Sequence, residues 1–151
     1  WRDSLTDEER KGWELYCLGK GHLEERFPKK SFIKNVGFVQ PDQLSSTIND
    51  TGVFILPTHY EHWGVVVQEY ALAGYPLVCS TTTSAATAFL TENENGFYCE
   101  PKNEASLKEA IIKIINSDDA TLISMMHKSH AKGNSNTPQK WSETLLQLIK
   151  S

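Results

Sequence analysis

Two glutamates, Glu61 and Glu69, stand eight positions apart in the stretch Glu61-His62-Trp63-Gly64-Val65-Val66-Val67-Gln68-Glu69. The spacing puts the first carboxylate in the loop after a buried strand and the second inside the helix that follows. Between them the helix begins at about Gly64, where first-turn N–H groups lack intrahelical partners and the positive end of the helix dipole points outward. Such an end holds anions. A diphosphate bound there has Glu61 beyond the helix tip, near whatever group is esterified to the distal phosphate. Glu69, one to two turns along, is placed to accept hydrogen bonds from a ribose diol. Gly64 lets a ligand approach the backbone closely.

The same residues admit other readings. Two glutamates this far apart are commonly a solvated loop charge and a helix surface charge. As the acid and nucleophile of a glycosidase they would have to flank one bond with carboxyl groups about 5 to 9.5 Å apart, and no helix-tip anion site would be needed. His59, Glu61 and His62 could be imagined as metal ligands, but this is not a helical ligand spacing, and no metal is expected. The two histidines are instead expected to line a sugar pocket. Gly19-Lys20-Gly21 resembles the start of a dinucleotide fingerprint, yet Glu24 stands where the third glycine belongs. A tight turn competes there with an NAD-type site.

The elements that must position these groups follow from pattern. Thr6-x-x-Glu9 has capping-box spacing. Trp13 to Leu18 reads as a strand ending at Gly19, and a short helix from about His22 to Phe27 is closed by Pro28. Phe32 to Val39 reads as extended, Pro41 as a helix N1 residue, and Asp42 to Asn49 as a short helix. Val53 to Leu56 is a buried strand stopped by Pro57, Gly64 to Ala73 a helix stopped by Gly74, and Leu77 to Cys79 the next buried strand. A helix near Ser84 to Leu90 and a strand at Gly96 to Cys99 come next. Asn103 is a plausible N-cap for a helix with Leu107, Ala110, Ile111, Ile114 and Ile115 on one face. Helices over about Ala120 to Lys132 and from Pro138 onward close the chain, and the last carries Trp141, Leu145 and Leu148 on a stripe read as core. Alternating strands and helices predict an α/β fold, a Rossmann-like parallel sheet with helices on both faces. Ligands in such sheets bind beyond the carboxyl ends of the strands, which selects the loops Gly19 to Gly21, Pro57 to Gly64 and Ser80 to Ser84.

Composition bounds the rest. At 151 residues, 39% of them hydrophobic, the chain is expected to fold as a single domain over 1–151. A net charge of -4 with scattered Lys and Arg offers no field for polyanionic backbone, so nucleic acid is not an expected partner. No apolar run approaches the roughly 18 residues of a membrane span. Cys17, Cys79 and Cys99 sit in strand-like runs and read as buried free thiols, in keeping with a cytoplasmic protein.

Glu61 and Glu69 with seven residues between them resemble the E-x7-E motif of glycosyltransferase family 4. Gly37-Phe38-Val39 with Leu44, Val53 to Pro57, Glu69 to Val78, and Asn95-Gly96-Phe97 are similar to that family in order and spacing, over roughly Trp13 to Ile115. The resemblance implies the C-terminal half of a GT-B fold, part of a longer two-domain enzyme. It also implies a retaining, metal-independent transfer of sugar from a nucleoside diphosphate sugar such as a UDP-sugar, with no other cofactor. Glu61 is then the catalytic residue against the donor sugar, and Glu69 binds the ribose. His62, Trp63, Gly64 and Val65 hold the donor, Phe38 and Val39 bound the base, and Gly19 and Gly21 line the phosphate side.

The resemblance further implies polysaccharide synthesis on a glycan or lipid-linked acceptor. The full-length protein would then be cytoplasmic or peripheral at the inner face of a membrane. The family's diphosphate-neutralising Arg and Lys and its acceptor domain would lie upstream of this chain, so that the chain alone would be inactive, a binding module. The last helix of such enzymes often packs back toward the other domain, which would leave Trp141 exposed here. Two departures stand out: His62 follows the first glutamate in place of the usual Gly, and Thr83-Ser84-Ala85-Ala86 replace paired glycines. Both are expected to reshape the sugar pocket.

Overall fold

A computed structural model describes residues 5–22 and 24–150, the side chain of Lys150 excepted. The chain divides into two compact units, Trp1–Gly52 and Val53–Ser151, each taken in its own frame.

In the first unit Thr6 caps α1 (Asp7–Arg10) with both bonds of a capping box: Thr6 Oγ1 accepts from the Glu9 N–H at 3.2 Å and Glu9 Oε2 from the Thr6 N–H at 2.8 Å. The Arg10 guanidinium pairs with Asp7 and lies 3.7 Å over the Phe32 ring. β1 (Leu15–Leu18) runs parallel to β2 (Ile33–Gly37), with Leu15 opposite Ile33 and a register shift between Cys17 and Leu18. β1 starts later than the apolar run because the Trp13 N–H donates to Arg10 O at 2.8 Å and closes the turn after α1. β2 stops before Phe38 because Gly37 takes φ +73°, which ends the extended backbone. The predicted helix over 22–27 is a single 3-10 turn, Glu24–Arg26. Its charged residues supply no apolar stripe to stabilise a longer helix, and Pro28 follows at once. α2 (Pro41–Ile48) opens on Pro41 as predicted.

The second unit contains β3 (Phe54–Leu56), α3 (Val65–Leu72), β4 (Leu77–Ser80), α4 (Ala86–Phe89), β5 (Gly96–Cys99), α5 (Glu104–Asn116), α6 (Asp119–Gly133) and α7 (Pro138–Lys150). β3, β4 and β5 form a parallel sheet in that order, Phe54 opposite Leu77 and Leu77 opposite Gly96. β4 is buried at every position, as expected of a central parallel strand. Each unit thus carries parallel strands, as the strand-helix rhythm predicts, β1-β2 in the first and β3-β4-β5 in the second. Helices flank the three-stranded sheet: α5 packs on β5 and α3 on β4, while α6 packs on α3 and α4. Asn103 Oδ1 accepts from the Ser106 N–H at 3.1 Å and caps α5 as predicted, and Leu107, Ala110, Ile111, Ile114 and Ile115 are buried.

Asn95, fully buried, ties the turn before β5 together. Its side chain donates to Phe89 O at 2.9 Å and Ser129 Oγ at 3.0 Å, and accepts from the Thr91 N–H at 2.8 Å. The last stripe reads differently from its sequence. Trp141, Leu145 and Leu148 on α7 are exposed, not core, with Trp141 at 65% and Leu148 at 68%. Amphipathic spacing specifies an apolar face but not a partner for it. No helix among the described residues is long and apolar enough to cross a membrane.

Candidate functional site

The carboxyl ends of β3 and β4 carry the loops from which the site is built. A run of hydroxyls after β4 fastens them: Thr82 Oγ1 lies 2.7 Å from Ser80 Oγ and donates to His59 O at 3.0 Å. Next to this contact Glu61 and Thr83 form an isolated parallel bridge. The Glu61 N–H donates to Thr82 O and the Ser84 N–H to Glu61 O, both at 3.3 Å, and the Ala85 N–H donates to Trp63 O at 2.8 Å. The backbone of the glutamate loop is therefore held as a short extra strand beside the sheet. Sequence pattern misses this role of Thr82 and Thr83, because their partners are backbone groups about twenty residues away. The only signal is a hydroxyl-rich run after a buried strand, where such side chains bond to nearby backbone.

Gly64 turns the chain from that strand into α3. It takes φ +88°, the left-handed region, and as N-cap supplies no side chain to the helix. A Cβ built on it would meet Glu61 Cγ at 3.1 Å and Thr83 Cγ2 at 3.3 Å, so both side chains close over its α-carbon. The Val67 N–H bonds to Gly64 O at 2.9 Å, while the amides of Val65 and Val66 have no carbonyl four residues back within the helix. Glu61, half-buried, accepts from the Trp63 N–H at 3.4 Å through Oε1. Glu69 is exposed and lies about 6 Å along the helix axis from Val65 at 1.5 Å per residue. Glu61, Trp63, Gly64 and Val65 are thus gathered at the tip of α3, with Glu69 about one turn in. The arrangement can hold an anion on backbone amides between two carboxylates.

Packing holds α3 in place. Tyr70 stacks on Phe54 with ring centroids 4.1 Å apart, and its hydroxyl is pushed to a higher pKa by burial first, then by the charges of Tyr75 and Glu69. Gln68 Nε2 donates to Asn136 O at 2.7 Å, and His130 Nδ1 lies 2.6 Å from Leu72 O at the helix end. The Tyr75 N–H reaches back to Tyr70 O at 2.9 Å and closes the C-terminus at Gly74, as the sequence predicts. His62 is exposed and sits edge-on to Tyr60, ring centroids 4.9 Å apart. Trp63 and Val65 are exposed as well, which leaves apolar surface around the helix tip.

Gly19, Gly21, Phe38 and Val39 belong to the first unit, where they gather at the carboxyl ends of β1 and β2. The Gly19 N–H donates to Gly37 O at 2.7 Å and joins the two loops. Phe38 is exposed and Val39 half-buried. The dinucleotide alternative loses support within the first unit, since a 3-10 turn, Glu24–Arg26, and not a helix follows Gly21.

The three cysteines are free. Cys79 and Cys99 are buried and Cys17 half-buried, so the last is less enclosed than its apolar run suggests. Burial, with a smaller contribution from Cys99, pushes the Cys79 thiol up to about 12, so it stays protonated at neutral pH. Among the described residues no group of three or more His, Cys, Asp or Glu side chains could hold a metal ion.

Parallel strands flanked by helices, with a glycine-opened helix after a strand, define an α/β Rossmann-like domain of the kind that forms the C-terminal half of GT-B glycosyltransferases. The family model "Glycosyl transferases group 1" matches residues 9–134, and the chain belongs to that family. It is 31% identical over 85 residues to the glycogen synthase of Mycobacterium tuberculosis (strain ATCC 25618 / H37Rv), covering 56% of this chain and 20% of that protein. Among solved structures, a TarM variant from S. aureus in complex with Fondaparinux, alpha-GlcNAc-glycerol and UDP superposes with a TM-score of 0.79 at 16% identity, over 95% of this chain and 30% of that one. HepE from Anabaena in complex with UDP and glucose gives 0.68 at 18% identity, over 89% and 40%. The matched stretches cover between 20% and 29% of the length of the curated relatives that this chain resembles.

Proposed function

We propose that this chain is the donor-binding domain of a retaining glycosyltransferase that moves a sugar from a nucleoside diphosphate sugar to an acceptor. The observation that carries the proposal is the convergence at α3. Glu61 is pinned by its bridge to Thr83, Gly64 opens an uncapped helix, and Glu69 follows about one turn in. The amides of Trp63, Gly64 and Val65 would hold the diphosphate, and with the helix dipole would stabilise the charge that grows on it as the sugar departs. Glu61 would orient the sugar and Glu69 would accept from the ribose hydroxyls. In this reading the pair is the E-x7-E motif of glycosyltransferase family 4, His62 borders the sugar, and no metal or further cofactor takes part.

In the same reading Phe38 and Val39 would bound the base, and Gly19 and Gly21 would line the phosphates. UDP as the nucleotide is supported by the UDP bound in the TarM and HepE structures. Relatives three to five times longer than the matched stretch support a separate acceptor-binding domain. We place the whole enzyme in polysaccharide or glycan synthesis, cytoplasmic or peripheral at the inner face of the membrane, with a glycan or lipid-linked acceptor.

Calorimetric titration without metal tests the donor site, using UDP, GDP, NAD, UDP-glucose and GDP-mannose. Saturable binding of one nucleoside diphosphate and its sugar is expected. Glu69→Ala should weaken it about tenfold or more, the worth of a hydrogen bond to a charged group. Preference for NAD, or indifference to Glu69→Ala, contradicts the proposal.

A further inference from the structure

Thr83 is 1% exposed, and its hydroxyl is buried with no hydrogen-bond partner. A buried hydroxyl left in this state costs free energy that a valine of the same shape would not incur, so its place asks for a reason. Three observations locate that reason at Glu61. The two residues are bridge partners, and residues directly opposite on paired strands project to the same face. Both side chains flank Gly64, Glu61 Cγ and Thr83 Cγ2 lying 3.1 and 3.3 Å from where a Cβ on that residue would stand. The Glu61 carboxylate, for its part, is only loosely engaged, with Trp63 N–H at 3.4 Å against a usual separation of about 2.9 Å.

Nothing bonds Thr83 Oγ1 in its present rotamer. A single χ1 step to the next staggered well places Oγ1 where Cγ2 now stands, against Gly64 and Glu61. We infer that Thr83 is a positioning residue for Glu61: when the donor sugar occupies the site, the Thr83 hydroxyl turns and donates a hydrogen bond to the Glu61 carboxylate, fixing it against the sugar. The inference rests on the donor-site reading above. It assigns a use to the threonine that stands where paired glycines are usual, since glycine has no hydroxyl to give.

The test is titration of wild type, Thr83→Val, Thr83→Ser, Glu61→Ala and the double variant Glu61→Ala/Thr83→Val with UDP-glucose against UDP, and with GDP-mannose against GDP. Thr83→Val should weaken binding of the nucleotide sugar about tenfold and leave the parent nucleotide within about twofold, and Thr83→Ser should restore it. In the Glu61→Ala background Thr83→Val should have no further effect, because the pair acts as a unit. Without ligand, Thr83→Val should melt at or above the wild-type temperature. Equal weakening of sugar nucleotide and nucleotide, additivity with Glu61→Ala, no rescue by serine, or a lowered melting temperature of the valine variant each overturn the inference while the donor site stands. Wild type that binds none of the four probes overturns the donor-site reading and this inference with it.

Discussion

At Gly64 the backbone sits at φ +88°, and a methyl there would press on both Glu61 and Thr83. Gly64→Ala should therefore lose about 1–3 kcal/mol in urea unfolding, from a side chain forced into the left-handed region, and should weaken nucleotide binding by displacing the loop. Near the carboxyl end of β4 the thiol of Cys79 supplies a pH signature. Its folded pKa of about 12 lies above the ordinary 9.0, so the unfolded chain releases the proton first. The stabilising effect of the buried neutral thiol is then complete below about 9 and fades as pH climbs toward about 12. Urea midpoints across that window should fall, and fall less steeply in Cys79→Ala. At this scale the sequence was legible where a residue acts within its own segment, as Thr6, Asn103 and Gly74 do. Thr83 was visible only as a departure from expected glycines, because its contacts to Glu61 and Gly64 depend on strands brought together from a distance.

Among the elements, α3 carries the proposed site and α6 packs on α3. The two helices approach so closely at Gly133 that a Cβ there would meet Leu72 N at 2.3 Å, Leu72 Cα at 2.5 Å and Ala71 C at 2.7 Å, all three of them backbone atoms. Gly133→Ala should cost about 2–3 kcal/mol and lower the melting temperature, with nucleotide affinity reduced because α3 must shift. Element type followed reliably from the apolar period: β3, α3, β4, β5 and α5 lie within a few residues of their predicted positions. The misses share a cause. The 3-10 turn at Glu24–Arg26 and the late start of β1 were set by local hydrogen bonds and charged residues, which periodicity does not register. α7 has the spacing of a core helix, yet Leu145 and Leu148 are exposed along with Trp141, whose exposure the family resemblance implied, since spacing says which face is apolar and not what covers it.

Over the whole molecule the core is unevenly shared. Among the described residues the buried apolar side chains other than Ile33 and Ile48 lie in the unit Val53–Ser151. Hydrogen exchange should accordingly find the slowest amides in β4 and α5, with β1 and β2 exchanging through lower-energy openings well before global unfolding. Uniform protection across both units would contradict this distribution. The α/β class was legible because unbroken apolar strands alternate with amphipathic helices. The order of the strands within each sheet was not, because pairing partners are chosen by tertiary packing and not by pattern.

The most direct test of the donor site is amide chemical-shift mapping by 1H–15N NMR with UDP, GDP and NAD added in turn. A nucleoside diphosphate is predicted to move the signals of Trp63, Gly64, Val65 and Val66 in a saturable way, and Glu69→Ala to weaken that response. Shifts confined to residues away from the tip of α3, or a saturable response to NAD alone, would contradict the assignment of α3 as the diphosphate-binding helix.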